Sequence, residues 1–201
     1  MNMSRSTPNT ARDRTAHWHD WRWQLRQSRS PDTITDYLRL TADEEAARCA
    51  PGLRPPALVT PYYLDLIDGE RADDPLRRTV IPTTAEHHTA AGEDDDPLGE
   101  DAHTPVPGLV HRYPDRALFL ACGHCAVHCR YCTRARLVGG HAALPPAQAR
   151  WQPALDYIAA TPAIRDVLVS GGDPLLLGDD KLCRLLAQLR AIDHVDIIRI
   201  G

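Results

Sequence analysis

Four of the six cysteines in this 201-residue chain fall inside eleven residues, Cys122-Gly-His-Cys125-Ala-Val-His-Cys129-Arg-Tyr-Cys132, directly behind the apolar run Arg116-Ala-Leu-Phe-Leu-Ala121. Such a run reads as a buried strand, which puts the thiols at a strand's C-terminal end. The pattern recurs downstream. Asp166-Val-Leu-Val-Ser170 reads as a second buried strand entering Gly171-Gly172-Asp173-Pro174, and Val195-Asp-Ile-Ile-Arg-Ile200 as a third. A helix is expected at Pro153 to Ala160, and Leu182, Leu185, Leu186 and Leu189 give the next one an i, i+3, i+4, i+7 stripe. Strands alternating with helices predict an α/β fold with parallel strands, in which ligands gather at the C-terminal strand ends. The cysteines and the glycine pair both sit at such ends.

The N-terminal half has a different texture. Residues 1–15 are polar and lack periodicity, which predicts a disordered tail, and 16–68 read as a helical extension. Trp18, Trp21 and Leu25 recur as one face of a helix from Trp18 to Arg29, with the tryptophans as packing anchors, and Ser30-Pro31-Asp32 breaks that run. Thr41-Ala-Asp-Glu44 has the form of a capping box, so Thr33 to Ala50 should hold two short helices, with a third at Pro61 to Leu66. Residues 69–110 carry Asp94-Asp95-Asp96 and five prolines and read as an irregular acidic arm. The α/β part then runs from 111 to 201 and stops at its third strand with no helix behind it, so the chain reads as part of a longer α/β protein.

Charge and composition narrow the function classes. No apolar run approaches the 18 or so residues of a membrane span, and no apolar region follows the basic N-terminus, so a membrane protein and an exported one are both excluded and a cytoplasmic location is expected. The formal net charge is −4 and the basic residues are dispersed, which argues against nucleic acid and for small-molecule chemistry. In a chain with no export signal, clustered cysteines favour metal over disulfides. Soft thiolates suit zinc or an iron-sulfur cluster. Cys122, Cys125, Cys129 and Cys132 form two C-x2-C pairs that could close a zinc site, although zinc ribbons usually separate their pairs by roughly 15 residues. Cys49 and Cys183 lie in helical patterns and read as buried small hydrophobes, while His124 and His128 read as loop residues without a role.

Taken as Cys125-x3-Cys129-x2-Cys132 with Tyr131 before the last cysteine, the cluster closely resembles the signature of the radical S-adenosylmethionine (SAM) enzymes. That resemblance implies a 4Fe-4S cluster held by Cys125, Cys129 and Cys132, with a fourth iron open to the amino and carboxylate groups of SAM. It also implies a reductively generated 5′-deoxyadenosyl radical, and an electron donor such as flavodoxin or ferredoxin. Cys122 is then a bystander at the strand end. Ser170-Gly171-Gly172-Asp173 resembles the SAM-binding Gly-Gly-Glu motif, with Asp173 where Glu is commoner, and Tyr131 joins the SAM-binding set. A glycine pair leaves backbone groups open to the methionine amino end with no side chain in the way.

Further segments narrow the resemblance to the lysine 2,3-aminomutase family: Thr60-Pro-Tyr-Tyr63, Asp96-Pro-Leu-Gly-Glu100, Pro105 to Arg116, Cys129-Arg-Tyr-Cys-Thr-Arg134 and Arg199-Ile-Gly201. It covers about residues 15–201, as the family's N-terminal portion. The fold it implies is a partial radical SAM (βα) half barrel behind the helical extension and arm. The activity it implies is a pyridoxal phosphate (PLP)-dependent 2,3-amino migration, with L-lysine to β-lysine first. Alternatives are a relative acting on glutamate, arginine or a protein lysine, and a non-catalytic Fe-S or zinc-binding remnant. Arg112, Tyr113 and Arg116 would lie by PLP and Arg134 by the substrate carboxylate. Self-association through the helical extension is also implied. Two departures stand out. Ala135 replaces an arginine usual in the family, and the one lysine, Lys181, opens a surface helix, so the PLP lysine should lie outside this chain and the chain alone should not complete the reaction.

Overall fold

The computed structural model describes residues 17–30, 32–53, 55–139 and 147–201; the tail expected over 1–15, and Pro31, lie outside them. Two compact units are present, Met1–Thr89 with Ala126–Tyr131, and Ala90–Cys125 with Cys132–Gly201.

The first unit is helical, and local capping chemistry sets where each helix begins. Helix α1 (Trp21–Ser28) starts behind Asp20, whose carboxylate accepts the Arg22 and Trp23 N–H groups at 3.0 Å. Helix α2 spans Thr33–Tyr37, and α3 (Ala42–Cys49) opens on the expected capping box between Thr41 and Glu44. Helices α4 (Pro61–Leu64) and α5 (Pro75–Val80) each place a proline in the first turn, behind Thr60 and Asp74 as caps. Ile34, Leu38, Val59, Leu64, Val80 and Ile81 form the core.

Three expectations are corrected here. Trp21 is 58% exposed with the Arg22 guanidinium 4.4 Å over its ring, and the buried face of α1 is instead Gln24 and Ser28. Spacing alone cannot orient a helix. Gln24 is buried because its Oε1 accepts the Tyr62 N–H at 2.8 Å; Trp18, in the turn before α1, packs on the Tyr62 ring, and Trp23 stacks on His17. The stretch expected to be an irregular arm contains α5, because Pro75 starts a helix rather than breaking one, and Val80 and Ile81 enter the core. Cys49 and Cys183 are exposed, each on the solvent side of its helix; the Cys49 thiol donates to Glu45.

The second unit is built on a four-stranded sheet in the order β1-β2-β3-β4. Strands β2 (Arg116–Cys122), β3 (Asp166–Gly171) and β4 (Ile197–Ile200) are parallel, as expected from their apolar runs. Strand β1 (Leu109–Tyr113) is an addition, antiparallel to β2 across a tight Pro114-Asp115 turn, so the sheet is mixed rather than wholly parallel. Helix α6 (Ala147–Ala159) carries Pro153 inside it instead of beginning there. The missing N–H costs one hydrogen bond, and Ala154 and Ile158 are fully buried beyond it. Helix α7 (Asp179–Arg190) buries Leu185 and Leu189. Alternation divides the sheet's faces: Ala117, Phe119, Val167 and Val169 meet α6 and α7 in one apolar core, while Leu118 and Leu168 face a cavity on the other side. No helix among the described residues is long and apolar enough to cross a membrane.

Candidate functional site

Strand β2 leaves the sheet through a bulge. Leu120 pairs with Ser170 and Cys122 with Gly171, so Ala121 is the extra residue, and its carbonyl is taken up from the side by Arg150 Nη2 at 2.9 Å and Trp151 Nε1 at 3.1 Å. The chain then enters the cysteine loop, which the glycine turn after β3 grips through backbone alone. The Gly172 N–H donates to the Cys122 carbonyl at 2.6 Å and the Asp173 N–H to the His124 carbonyl at 2.7 Å. A Cβ on Gly171 or Gly172 would stand on the Cys122 or His124 carbonyl oxygen, far inside van der Waals contact, and Gly171 has φ +124°. The pair is glycine because two backbones touch there. These bonds consume N–H donors; an ammonium group would need the turn's carbonyls.

The structure places each expected SAM residue. Ser170 is buried at the end of β3, Gly171 and Gly172 form the grip, and the Asp173 carboxylate accepts the Leu175 N–H at 3.0 Å, capping a short 3-10 turn at Pro174–Leu176. Tyr131 is 71% exposed, in the segment that belongs to the first unit. In that same unit His128, expected to have no role, is buried, with its N–H on the Leu58 carbonyl and its ring Nδ1 donating to the Pro56 carbonyl at 2.7 Å. In the sequence it reads only as a loop histidine.

None of the six cysteines is in a disulfide, and Cys125, Cys129 and Cys132 are half-buried. Cys125 and Cys132 belong to the second unit and Cys129 to the segment of the first. Among the described residues no group of three or more His, Cys, Asp or Glu side chains is already gathered to hold a metal. The donor set fits a thiolate-held metal, and gathering would accompany binding. Cys122 is buried, its sulfur accepting the His124 N–H at 3.4 Å.

The cavity on the open sheet face, about 360 Å³, is lined by all four residues expected at the cofactor and substrate: Arg112, Tyr113, Arg116 and Arg134. Arg112 donates to the Leu98 carbonyl at 2.8 Å, and Arg116 pairs with Asp115 beneath the Tyr113 ring. Arg134 is engaged through Nε and Nη2 by the buried Glu100 carboxylate at 2.7–3.1 Å. Arg199 pairs with Asp166 at the far wall. The sequence alone marks no role for Glu100, Asp166 or Arg199, and the segment Asp96 to Glu100 is the one signal for the first. Next to Glu100, Arg136 bridges Asp96 and Asp101 at 3.0 and 2.7 Å.

No family model matches the chain. Among curated proteins it is 48% identical over 189 residues to an L-lysine 2,3-aminomutase of Clostridium subterminale, which covers 92% of this chain and 45% of that protein. The figures for an L-lysine 2,3-aminomutase of Bacillus subtilis are 43%, 92% and 39%. For a glutamate 2,3-aminomutase of Clostridioides difficile they are 39%, 92% and 43%. The chain thus spans less than half the length of these relatives. Along nearly its whole length the chain is thus similar, at 43–48% identity, to proteins named L-lysine 2,3-aminomutase, a radical SAM family.

Proposed function

We propose that this chain forms part of a radical SAM amino acid 2,3-aminomutase, an isomerase using a 4Fe-4S cluster, SAM and PLP, with L-lysine as the substrate. The observation that carries this reading is that one sheet holds both a cysteine loop gripped by the Ser170–Asp173 turn at its strand ends and, on its open face, a cavity lined by Arg112, Tyr113, Arg116 and Arg134. A sheet whose two α/β-connecting helices cover one face and leave the other to a cavity is what a partial (βα) barrel requires.

Cys125, Cys129 and Cys132 would hold the cluster as thiolates, leaving an iron position open. When bound, the cluster would deliver one electron from a flavodoxin- or ferredoxin-type donor to SAM, and PLP would carry the migrating amino group. The Ser170–Asp173 turn offers carbonyl acceptors to the methionyl ammonium. Arg112 and Arg116 would bind the PLP phosphate, with the Tyr113 ring flanking them. Glu100 holds the Nε–Nη2 edge of the Arg134 guanidinium, which fixes its orientation and leaves Nη1 to serve the substrate carboxylate. Lys181 sits in the first turn of exposed α7, away from the cavity wall, and is not the PLP lysine of this reading.

Anaerobic reconstitution with iron and sulfide, followed by electron paramagnetic resonance of the reduced chain with and without SAM, tests it. A 4Fe-4S signal that changes on adding SAM is expected; zinc uptake with no such cluster overturns the radical reading.

A further inference from the structure

Two arginines of the cavity are held from one short segment. Arg112 donates through Nη1 to the Leu98 carbonyl at 2.8 Å, and Arg134 donates through Nε and Nη2 to the Glu100 carboxylate at 2.7–3.1 Å. The arginines come from separate places, β1 and the stretch behind the last clustered cysteine, yet their acceptors flank a single residue, Gly99, and all four line the same cavity. That segment is tied by Asp96. The Asp96 carbonyl accepts the Gly99 N–H at 2.9 Å, closing a turn whose second residue is Pro97, with its φ preset for that place. Gly99 has φ +61°, and nothing lies within 4 Å of a Cβ placed on it, so glycine serves the backbone conformation there and not space. Asp96 Oδ2 reaches across the turn to accept the Asp101 N–H at 2.8 Å, where the 3-10 turn Asp101–His103 begins. Its Oδ1 is buried 3.0 Å from Arg136 Nη2, which also pairs with Asp101 at 2.7 Å. The Asp101 N–H, joined by the Glu100 N–H and the Arg136 charge, holds the Asp96 carboxyl below its ordinary range against the push of burial.

We propose that Asp96 is a positioning residue of the cavity: by tying the Asp96–Asp101 turn it sets the Leu98 carbonyl and the Glu100 carboxylate together, and through them the orientation of both Arg112 and Arg134. The inference rests on the reading of those arginines as the phosphate and carboxylate sites given above. The turn then acts as a spacer between the two, suited to a ligand with a phosphate at one end and a carboxylate at the other. The sign of the effect separates positioning from bulk electrostatics. Asp96 is a negative charge in a segment that walls an anion site, so by Coulomb's law alone its removal would tighten phosphate binding. Loss of a positioning residue weakens it.

The test uses the full chain as wild type, Asp96→Ala, Asp96→Asn and Asp95→Asn, with two readouts. One is the nitrogen-proton correlation signal of the Arg134 Nε–H, assigned by its loss in Arg134→Lys; the other is the affinity for PLP by absorbance titration. Asp96→Ala is expected to move the Arg134 signal into the range of solvent-exposed arginines and to weaken PLP binding about tenfold, consistent with misplacing a charge-assisted contact. Asp96→Asn, which keeps an oxygen for the Asp101 N–H, should retain the signal and stay within about threefold of wild type, and Asp95→Asn, which removes the same charge next door, should change neither. A folded Asp96→Ala with a wild-type signal, with unchanged or tighter PLP binding, or with only one readout altered overturns the proposal, as does an equal loss in Asp95→Asn. Where Asp96→Ala does not fold, Asp96→Asn decides: a retained signal and affinity support the tie, and their loss with the acceptor still present overturns it. A wild-type chain that binds no PLP fails the function proposed above, and the Arg134 signal across the variants then decides the role of Asp96 by itself.

Discussion

Two adjacent glycines, Gly171 and Gly172, hold the cysteine loop to the end of β3 through backbone alone. Gly171-Gly172 was legible as a ligand-facing pair because glycine admits close approach, but what approaches in the structure is the chain's own backbone, at Cys122 and His124. No sequence pattern announces that two distant turns will touch. Gly172→Ala should therefore cost about 2–3 kcal/mol through overpacking against an unyielding carbonyl. It should also release the cysteine loop, so iron uptake falls with stability. Gly178→Ala is the matched control, since nothing lies within 4 Å of its added Cβ. Urea midpoints read both: a Gly172→Ala midpoint as close to wild type as that of Gly178→Ala removes the backbone contact as the reason for glycine there. Arg150 was legible in principle from its helical spacing to Ala154 and Ile158, but the habit of assigning arginine to the surface hides such residues.

Helices were legible where their start signals were local. Thr41-x-x-Glu44 predicts α3, and Asp20 and Asp74 do the same work at α1 and α5, yet the prolines around Asp74 masked a helix that Pro75 in fact begins. What no local signal reports is the pairing of α3 with α5 through Glu44 and Arg77. Glu44 is 6% and Arg77 2% exposed, with Nε and Nη2 of the arginine both 2.7 Å from the carboxylate. The Glu44 side chain thus closes a capping box and an ion pair at once. Removing one partner from a buried pair strands the other, so Glu44→Gln should cost about 3–5 kcal/mol, whereas Thr41→Ala, which loses only the cap, should cost about 1 kcal/mol. Burial pushes the Glu44 carboxyl up, but the Arg77 and Thr41 hydrogen bonds outweigh it and hold the group below its ordinary range. Its contribution is then complete above the unfolded value of about 4.3 and is lost as pH falls through the lower folded value. Acid titration of wild type against Glu44→Gln should show the steeper fall in wild type below that point; parallel curves contradict the assignment.

At the scale of the whole molecule the telling number is one lysine against 22 arginines. Arginine stays charged and presents a planar fork, so a chain built this way favours bidentate anion recognition over amine chemistry. The four expected residues of the cofactor cavity were legible by resemblance, whereas the carboxylates around it were not: Glu100 holds Arg134 and Asp166 holds Arg199 across segments that only the folded sheet brings side by side, while Asp115 holds its chain neighbour Arg116. With those three engaged by carboxylates, Arg112, bonded to a backbone carbonyl, retains the most capacity for a phosphate. Binding of PLP to this chain should accordingly be non-covalent and weakened by salt, as an exposed charge pairing is. Arg112→Ala should weaken it about tenfold or more, consistent with loss of a charge-assisted bidentate contact. Lys181→Arg should leave it unchanged, since Lys181 lies on α7 outside the cavity. Absorbance titration of PLP into the three proteins, with borohydride treatment and mass analysis of each, separates the possibilities: wild-type affinity that depends on Lys181 and a cofactor mass fixed to that residue would mean that the cofactor goes to the helix and not to the arginine-lined face.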